Sequence, residues 1–144
     1  MRFLLVDGHS VIFAWRELAL QHAKRSQTAR DMLVRTMRDY QDSSGVRVVL
    51  VFDGRGVRTQ DVTEPGGIQV FYSRTDQTAD AIIERLVAKY AKKYPMTVAT
   101  DDNLERQTAM SFGAEWISTE QLRSEVASAD REMRGEMDRL KRRR

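Results

Sequence analysis

The chain has 144 residues, of which 41% are hydrophobic and 31% charged, a composition typical of one folded globular domain. It contains no cysteine, which excludes disulfides, thiolate metal sites and a cysteine nucleophile. The net charge of +3 is a weak indication of a polyanionic partner, and no apolar stretch is long enough to span a membrane. Because the first strand is predicted almost at the start, with no room for a signal peptide, we expect a cytoplasmic protein.

Five apolar runs alternate along the chain with segments of helical periodicity. The runs at residues 3–6, 46–52, 68–72, 96–99 and 114–117 predict strands buried on both faces of a parallel sheet. A helix is predicted from residue 10 to about residue 21, and a second one begins with Ser26 or Thr28 as its cap and ends at 43–45. Later helices are predicted from the acidic segment 76–80 to residue 90, over 104–112, and after a cap at Ser118 or Thr119.

Residues 55–67 combine several glycines and a proline with poor periodicity, which predicts a surface loop. Gly54 and Gly56 lack the third glycine of a dinucleotide loop, and the chain has no Walker lysine motif, so we expect no nucleotide cofactor. The alternation predicts a three-layer α/β/α fold with a mainly parallel five-stranded sheet and a long C-terminal helix. The strand order expected for this sheet is 3-2-1-4-5. One domain is predicted over residues 1–144, with a basic end at 141–144 that frays.

Acidic residues follow three of the predicted strands: Asp7 the first, Asp53 the second, and Asp101 with Asp102 the fourth. Asp76 and Asp80 open the helix after the third strand. Because parallel strands end at one edge of the sheet, we expect these carboxylates to lie close together. Each acid alone could equally cap or start a helix. Together they form an all-oxygen set that suits Mg²⁺ or Mn²⁺, ions that promote phosphodiester cleavage.

Four motifs carry a resemblance to a known family: residues 4–10 (LLVDGHS), 49–54 (VLVFDG), 78–84 (TADAIIE) and 98–102 (VATDD). In order and spacing they resemble the YacP-like NYN-domain proteins of the PIN-like nuclease superfamily. The resemblance implies a PIN-like fold and a metal-dependent endoribonuclease that cleaves single-stranded RNA, in some members messenger RNA on ribosomes. By motif it implies Asp7, Asp80 and Asp102 as the catalytic metal ligands, with Asp53 and Asp76 in supporting roles.

Two positions depart from the usual family pattern. The usual opening Asp-Gly-Tyr-Asn reads Asp-Gly-His-Ser here, so His9 and Ser10 are expected to contact or orient the substrate. Asp101 replaces a serine and is a further candidate metal ligand. The predicted contacts to the RNA backbone are arginines: Arg25, Arg55, Arg58 and Arg74. The alternative is a catalytically inactive RNA- or ribosome-binding module of the same fold.

Overall fold

The computed structural model describes residues 1–56, 60–63, 67–74 and 77–143. The elements in chain order are β1 Phe3–Asp7, α1 Gly8–Ala14, α2 Arg16–Lys24, α3 Ser26–Ser44, β2 Arg47–Gly56, β3 Gln60–Thr63, β4 Gln69–Arg74, α4 Ala79–Tyr90, β5 Met96–Ala99, α5 Asn103–Ser111, β6 Glu115–Ile117 and α6 Thr119–Arg142. No helix in these ranges is long and apolar enough to cross a membrane.

The sheet in the described part of the chain has six strands in the order β3-β4-β2-β1-β5-β6. The five predicted strands correspond to β1, β2, β4, β5 and β6, and they pair in parallel in the predicted order 3-2-1-4-5. β1 lies centrally, with Leu5 opposite Val49 of β2 and Val98 of β5. The carboxyl ends of β1, β2 and β5 therefore meet at one edge of the sheet, hereafter the carboxyl edge.

Two hydrophobic clusters cover the two faces of the sheet. Leu4 and Val6 of β1 point into the cluster formed with α1, α2, α3 and α6. Leu5, between them, points into the cluster formed with α4 and α5. This alternation follows from the period of two along a strand, and burial of both faces explains why the strands read as continuous apolar runs. The predicted three-layer α/β/α fold and its long C-terminal helix are confirmed.

The predicted loop over residues 55–67 was wrong in part. β2 continues to Gly56, and Gln60–Thr63 forms an edge strand antiparallel to β4, with Val62 opposite Val70. The sequence of this strand, QDVT, has one apolar residue in four, so a search for apolar runs could not find it. Its backbone is paired by the neighbouring strand, which needs no apolar side chains.

The first predicted helix is divided in two at Trp15. The backbone of Trp15 is extended, its side chain is buried, and its indole N–H donates to the carbonyl of Thr119 at 3.0 Å. Periodicity alone missed this break, because a tertiary contact to the start of α6 fixes the tryptophan. The predicted cap of α3 was also wrong: α3 begins at Ser26, and its N-cap Arg25 makes no side-chain capping bond.

Candidate metal centre

Asp7 lies at the carboxyl end of β1 and is almost fully buried, with 4% of its surface exposed. Its Oδ2 accepts hydrogen bonds from the hydroxyls of Ser10 at 2.9 Å and Thr100 at 3.1 Å. Its Oδ1 accepts a longer bond, 3.4 Å, from the Ser10 N–H, so Asp7 also caps α1. Two hydroxyl donors on one oxygen fix the carboxylate orientation and leave acceptor capacity on the other oxygen for a ligand.

Gly8 allows the chain to turn from β1 into α1 at this point. A Cβ atom at Gly8 would lie 2.5 Å from the ring of Phe52 and 2.9 Å from the carbonyl oxygen of Val51. Both distances are shorter than van der Waals contact, so only glycine fits against β2 here. The close approach brings the start of α1, with His9 and Ser10, directly beside the carboxyl edge.

Asp80 belongs to the first turn of α4 and is exposed. Thr78 caps this helix by accepting from the Ala81 N–H at 3.2 Å. Asp53 of β2 accepts from the Ala79 N–H at 2.9 Å and so ties the helix start to the sheet. The carbonyl of Asp53 is itself held by the guanidinium of Arg30 at 2.8 Å. Asp53 therefore positions Asp80, consistent with a supporting role.

Glu105 is the residue that the sequence analysis missed. It lies in the first turn of α5, is only 6% exposed, and neither of its carboxylate oxygens has a hydrogen-bond donor. One oxygen each from Asp7, Asp80 and Glu105 lie within 4.8 Å of one another. Burial, acting together with the neighbouring Asp80 and Asp7 carboxylates, raises the pKa of Glu105 to about 11. In the absence of a cation this carboxyl group therefore holds a proton.

The chemistry of this group of acids fits a divalent metal ion. The three converging carboxylates, hereafter the acidic triad, offer only oxygen ligands, which suit Mg²⁺ or Mn²⁺. A buried carboxylate without donors is costly unless it is neutralised or paired with a cation. An ion bound among the three carboxylates would satisfy the Glu105 oxygens that no protein donor reaches.

Asp101 and Asp102, the two predicted acids after β5, make hydrogen bonds to the starts of neighbouring helices. Asp102 is the N-cap of α5, and its carboxylate accepts from the Glu105 N–H at 3.0 Å instead of joining Asp7 and Asp80. Asp101 accepts from the N–H and the hydroxyl of Thr119, at 3.0 and 2.6 Å, so both of its oxygens tie α6 to the end of β5. These hydrogen bonds give both acids structural roles, and their predicted role as metal ligands stays a prediction.

A local signal for Glu105 exists in the sequence. An acid three residues after an N-cap lies in the first helical turn, and α5 begins at the carboxyl edge after a strand. Such a residue can turn its side chain back toward the ends of the neighbouring strands. The sequence-based prediction used acids at strand ends and at the start of α4, and after β5 it stopped at Asp102.

The remaining predicted site residues lie at varied positions. His9 is exposed at the carboxyl edge, and Ser10 also accepts from the Asp101 N–H at 3.3 Å, so it links α1 to the end of β5. Arg25 is exposed between α2 and α3. Arg58 and Asp76 lie outside the described residues, and only the backbone is described for Arg55 and Arg74. Their predicted roles stay predictions.

The fold and the acidic edge define a Rossmann-like α/β domain with a candidate metal centre, and comparison with known proteins assigns its family. The model of the YacP-like NYN domain matches residues 4–144, so the chain belongs to that family, as the resemblance predicted. The uncharacterized protein YacP of Bacillus subtilis (strain 168) is 33% identical over 133 residues, 91% of this chain and 78% of that protein.

Solved structures agree with this assignment. The crystal structure of Rae1 (YacP) from Bacillus subtilis has a TM-score of 0.82 and 32% identity, covering 97% of this chain and 82% of that chain. A mutant of the same protein gives a TM-score of 0.82 and 31% identity, covering 96% and 82%. The NYN domain belongs to the PIN-like nuclease superfamily, and this membership points to nuclease activity on RNA.

Proposed function

We propose that this protein is a metal-dependent endoribonuclease that cleaves single-stranded RNA. In this proposal Asp7, Asp80 and Glu105 hold one or two Mg²⁺ or Mn²⁺ ions. The observation that carries it is the Glu105 side chain, which is buried, aimed at two other carboxylates and without any donor. A domain that only bound polyanions would gain nothing from negative charge concentrated at this edge.

The residues around the triad prepare it for this role. The Ser10 and Thr100 hydroxyls hold Asp7 in one orientation, and Asp53 holds the helix that carries Asp80. Asp102 begins the helix that carries Glu105. When bound, a divalent ion supplies the chemistry of phosphodiester hydrolysis: it activates water and stabilises charge at the phosphate. The ends of β1 and β2 and the starts of α1, α4 and α5 thus bring the ligands together.

The substrate is part of the proposal. Family membership favours RNA, and the net positive charge of the chain is compatible with a polyanion. We propose messenger RNA on ribosomes as its natural setting, in keeping with the resemblance to the family, and hence a cytoplasmic enzyme. Arg25 is the predicted backbone contact whose exposed position is described.

The experiment is cleavage of an RNA blocked at both ends, with Mn²⁺, Mg²⁺ or EDTA. We expect internal cuts that require the metal, and a loss of at least about 100-fold in rate for Asp80→Asn and for Glu105→Gln. Asp39→Asn is the matched control, because Asp39 is an exposed acid toward the far end of α3. Flap DNA in parallel tests the choice of nucleic acid.

Three results would contradict the proposal. Equal cleavage by wild type and Asp80→Asn would show that the acidic triad does not take part in the reaction. No product with any metal, together with RNA binding that persists in EDTA, would favour the inactive binding module. Preference for flap DNA over single-stranded RNA would place the chain among the DNA nucleases of the superfamily.

A further inference from the structure

Three aromatic rings lie in a row on the outer surface of α1 and α2. They belong to His9, Phe13 and His22, and we call this row the aromatic ladder. The ring centroids of His9 and Phe13 are 4.6 Å apart, and those of Phe13 and His22 are 4.7 Å apart. Phe13 is 53% exposed and belongs to neither hydrophobic cluster. Its ring therefore contributes little to the core, although exposing it to water has a cost.

The ladder begins at the candidate metal centre. His9 follows Asp7 by two residues, and Phe13 lies on the same helical face as His9, four residues further along α1. Phe13 is thus six residues beyond Asp7, roughly 9 Å along the helix. If an extended single-stranded RNA bound with one phosphate at the acidic triad, the base of a neighbouring nucleotide would reach the aromatic ladder.

Positive charge lies at the other end of the ladder. His22 is followed by Lys24 and Arg25, both exposed, where α2 ends and α3 begins. The start of α3 is at the carboxyl edge, because Arg30 in its second turn donates to the Asp53 carbonyl. The ladder therefore connects the acidic triad to a pair of cations along one edge of the molecule.

We propose that the aromatic ladder is a base-stacking surface for the single-stranded RNA next to the cleaved phosphate. The interplanar angles of 47° and 62° show that the three rings do not stack face to face on one another, and half of Phe13 is open to solvent. In this proposal a nucleobase packs on the exposed part of the Phe13 ring while Lys24 and Arg25 contact the phosphates. Because every base has a face that can stack on an aromatic ring, the ladder should increase the affinity for RNA without selecting a sequence.

This inference rests on the proposed function, and a binding experiment separates the two. A fluorescent single-stranded RNA of about 12 nucleotides is titrated in EDTA, and in Mn²⁺ with the cleavage-deficient Asp80→Asn protein as background. We expect Phe13→Ala to weaken binding about 5-fold or more and Phe13→Tyr to retain it. Phe112→Ala is the matched control, because Phe112 is an exposed aromatic at the end of α5, opposite the carboxyl edge.

Three further measurements distinguish stacking from a structural effect. The salt dependence of binding should be unchanged in Phe13→Ala, since no charge is removed. An RNA of the same length without bases should bind wild type more weakly, and Phe13→Ala should bind both RNAs about equally. In the cleavage-competent protein, Phe13→Ala should raise KM with little change in kcat.

The outcomes distinguish failure of the ladder proposal from failure of the proposed nuclease activity. If wild type cleaves RNA but Phe13→Ala binds like Phe112→Ala, the ladder proposal is overturned and the nuclease stands. If Phe13→Ala binds more weakly but wild type never cleaves, the ladder stands and the nuclease falls. Absence of RNA binding by wild type overturns both.

Discussion

Asp53 Oδ1 accepts a hydrogen bond at 2.9 Å from the backbone N–H of Ala79, the residue immediately before Asp80. One carboxylate of the sheet thus sets where the helix bearing a second carboxylate begins. Asp53 accepts a hydrogen bond from an N–H group that has no acceptor within the helix, and its negative charge is favourable at a helix N-terminus. This contact links the stability of the α4 start to the geometry of the acidic triad.

Replacing Asp53 should therefore affect stability and catalysis together. We expect Asp53→Ala to lower the free energy of unfolding by about 1–2 kcal/mol, because it leaves the Ala79 N–H without its acceptor. RNA cleavage should fall as Asp80 loses its fixed position. Asp53→Asn keeps a carbonyl oxygen at the same place and should retain most of both properties. Denaturant unfolding and cleavage rates measure this, and a wild-type rate in Asp53→Ala would contradict the positioning role.

A second prediction separates the helix-capping role of Asp102 from the metal-binding role that the resemblance implied. Asparagine caps helices about as well as aspartate, whereas alanine costs about 1 kcal/mol. We expect Asp102→Asn to keep both stability and Mn²⁺-dependent cleavage, and Asp102→Ala to lose about that much stability. Activity that collapses in Asp102→Asn, with stability unchanged, would return Asp102 to the set of metal ligands.

Much of the fold could be predicted because its signals are local. Continuous apolar runs identified β1 and β5, which are buried on both faces, and the alternation of strands with helices identified the parallel sheet. β3 and the break at Trp15 were missed because backbone pairing with a neighbour and a contact across 104 residues determine them. Neither leaves a periodic pattern in the sequence.

The acidic site was predicted in part, for a similar reason. Asp7 was described as either a helix cap or a metal ligand, and its carboxylate both caps α1 and joins the triad. Asp7 could be identified because it directly follows a strand, and Asp80 could be identified from the motif at residues 78–84. The choice between Asp102 and Glu105 depends on which way each side chain turns at the start of α5. Packing buries Glu105 and leaves Asp102 exposed, and the sequence alone does not show this difference.

A third prediction concerns metal binding without any RNA. Mn²⁺ that binds the folded protein should raise its melting temperature, because a ligand of the folded state shifts the equilibrium by mass action. We expect Glu105→Gln to lose this Mn²⁺-dependent rise. Asp102→Asn should keep it, since the structure gives that side chain to the helix cap. Thermal melts with increasing Mn²⁺, and EDTA as the blank, measure the difference; an undiminished rise in Glu105→Gln would exclude Glu105 as a ligand.

The raised pKa of Glu105 predicts how stability changes with pH in the metal-free protein. Its pKa is about 11 in the folded chain against an ordinary value of 4.5, so between these values the folded state binds a proton that the unfolded state has released. Unfolding then releases a proton, and the free energy of unfolding falls as pH rises, by at most about 1.4 kcal/mol per pH unit.

Comparison with Glu105→Gln isolates this contribution from all other titrating groups. In EDTA, between about pH 5 and pH 9, wild type should lose stability with rising pH more steeply than Glu105→Gln, whose amide does not titrate. Saturating Mn²⁺ should reverse the difference, because a metal ligand must be deprotonated and binding therefore strengthens as pH rises. Parallel slopes for the two proteins in EDTA would mean that Glu105 is already ionised in the folded state. That result would contradict the protonated Glu105 side chain that its burial among acids predicts for the metal-free protein.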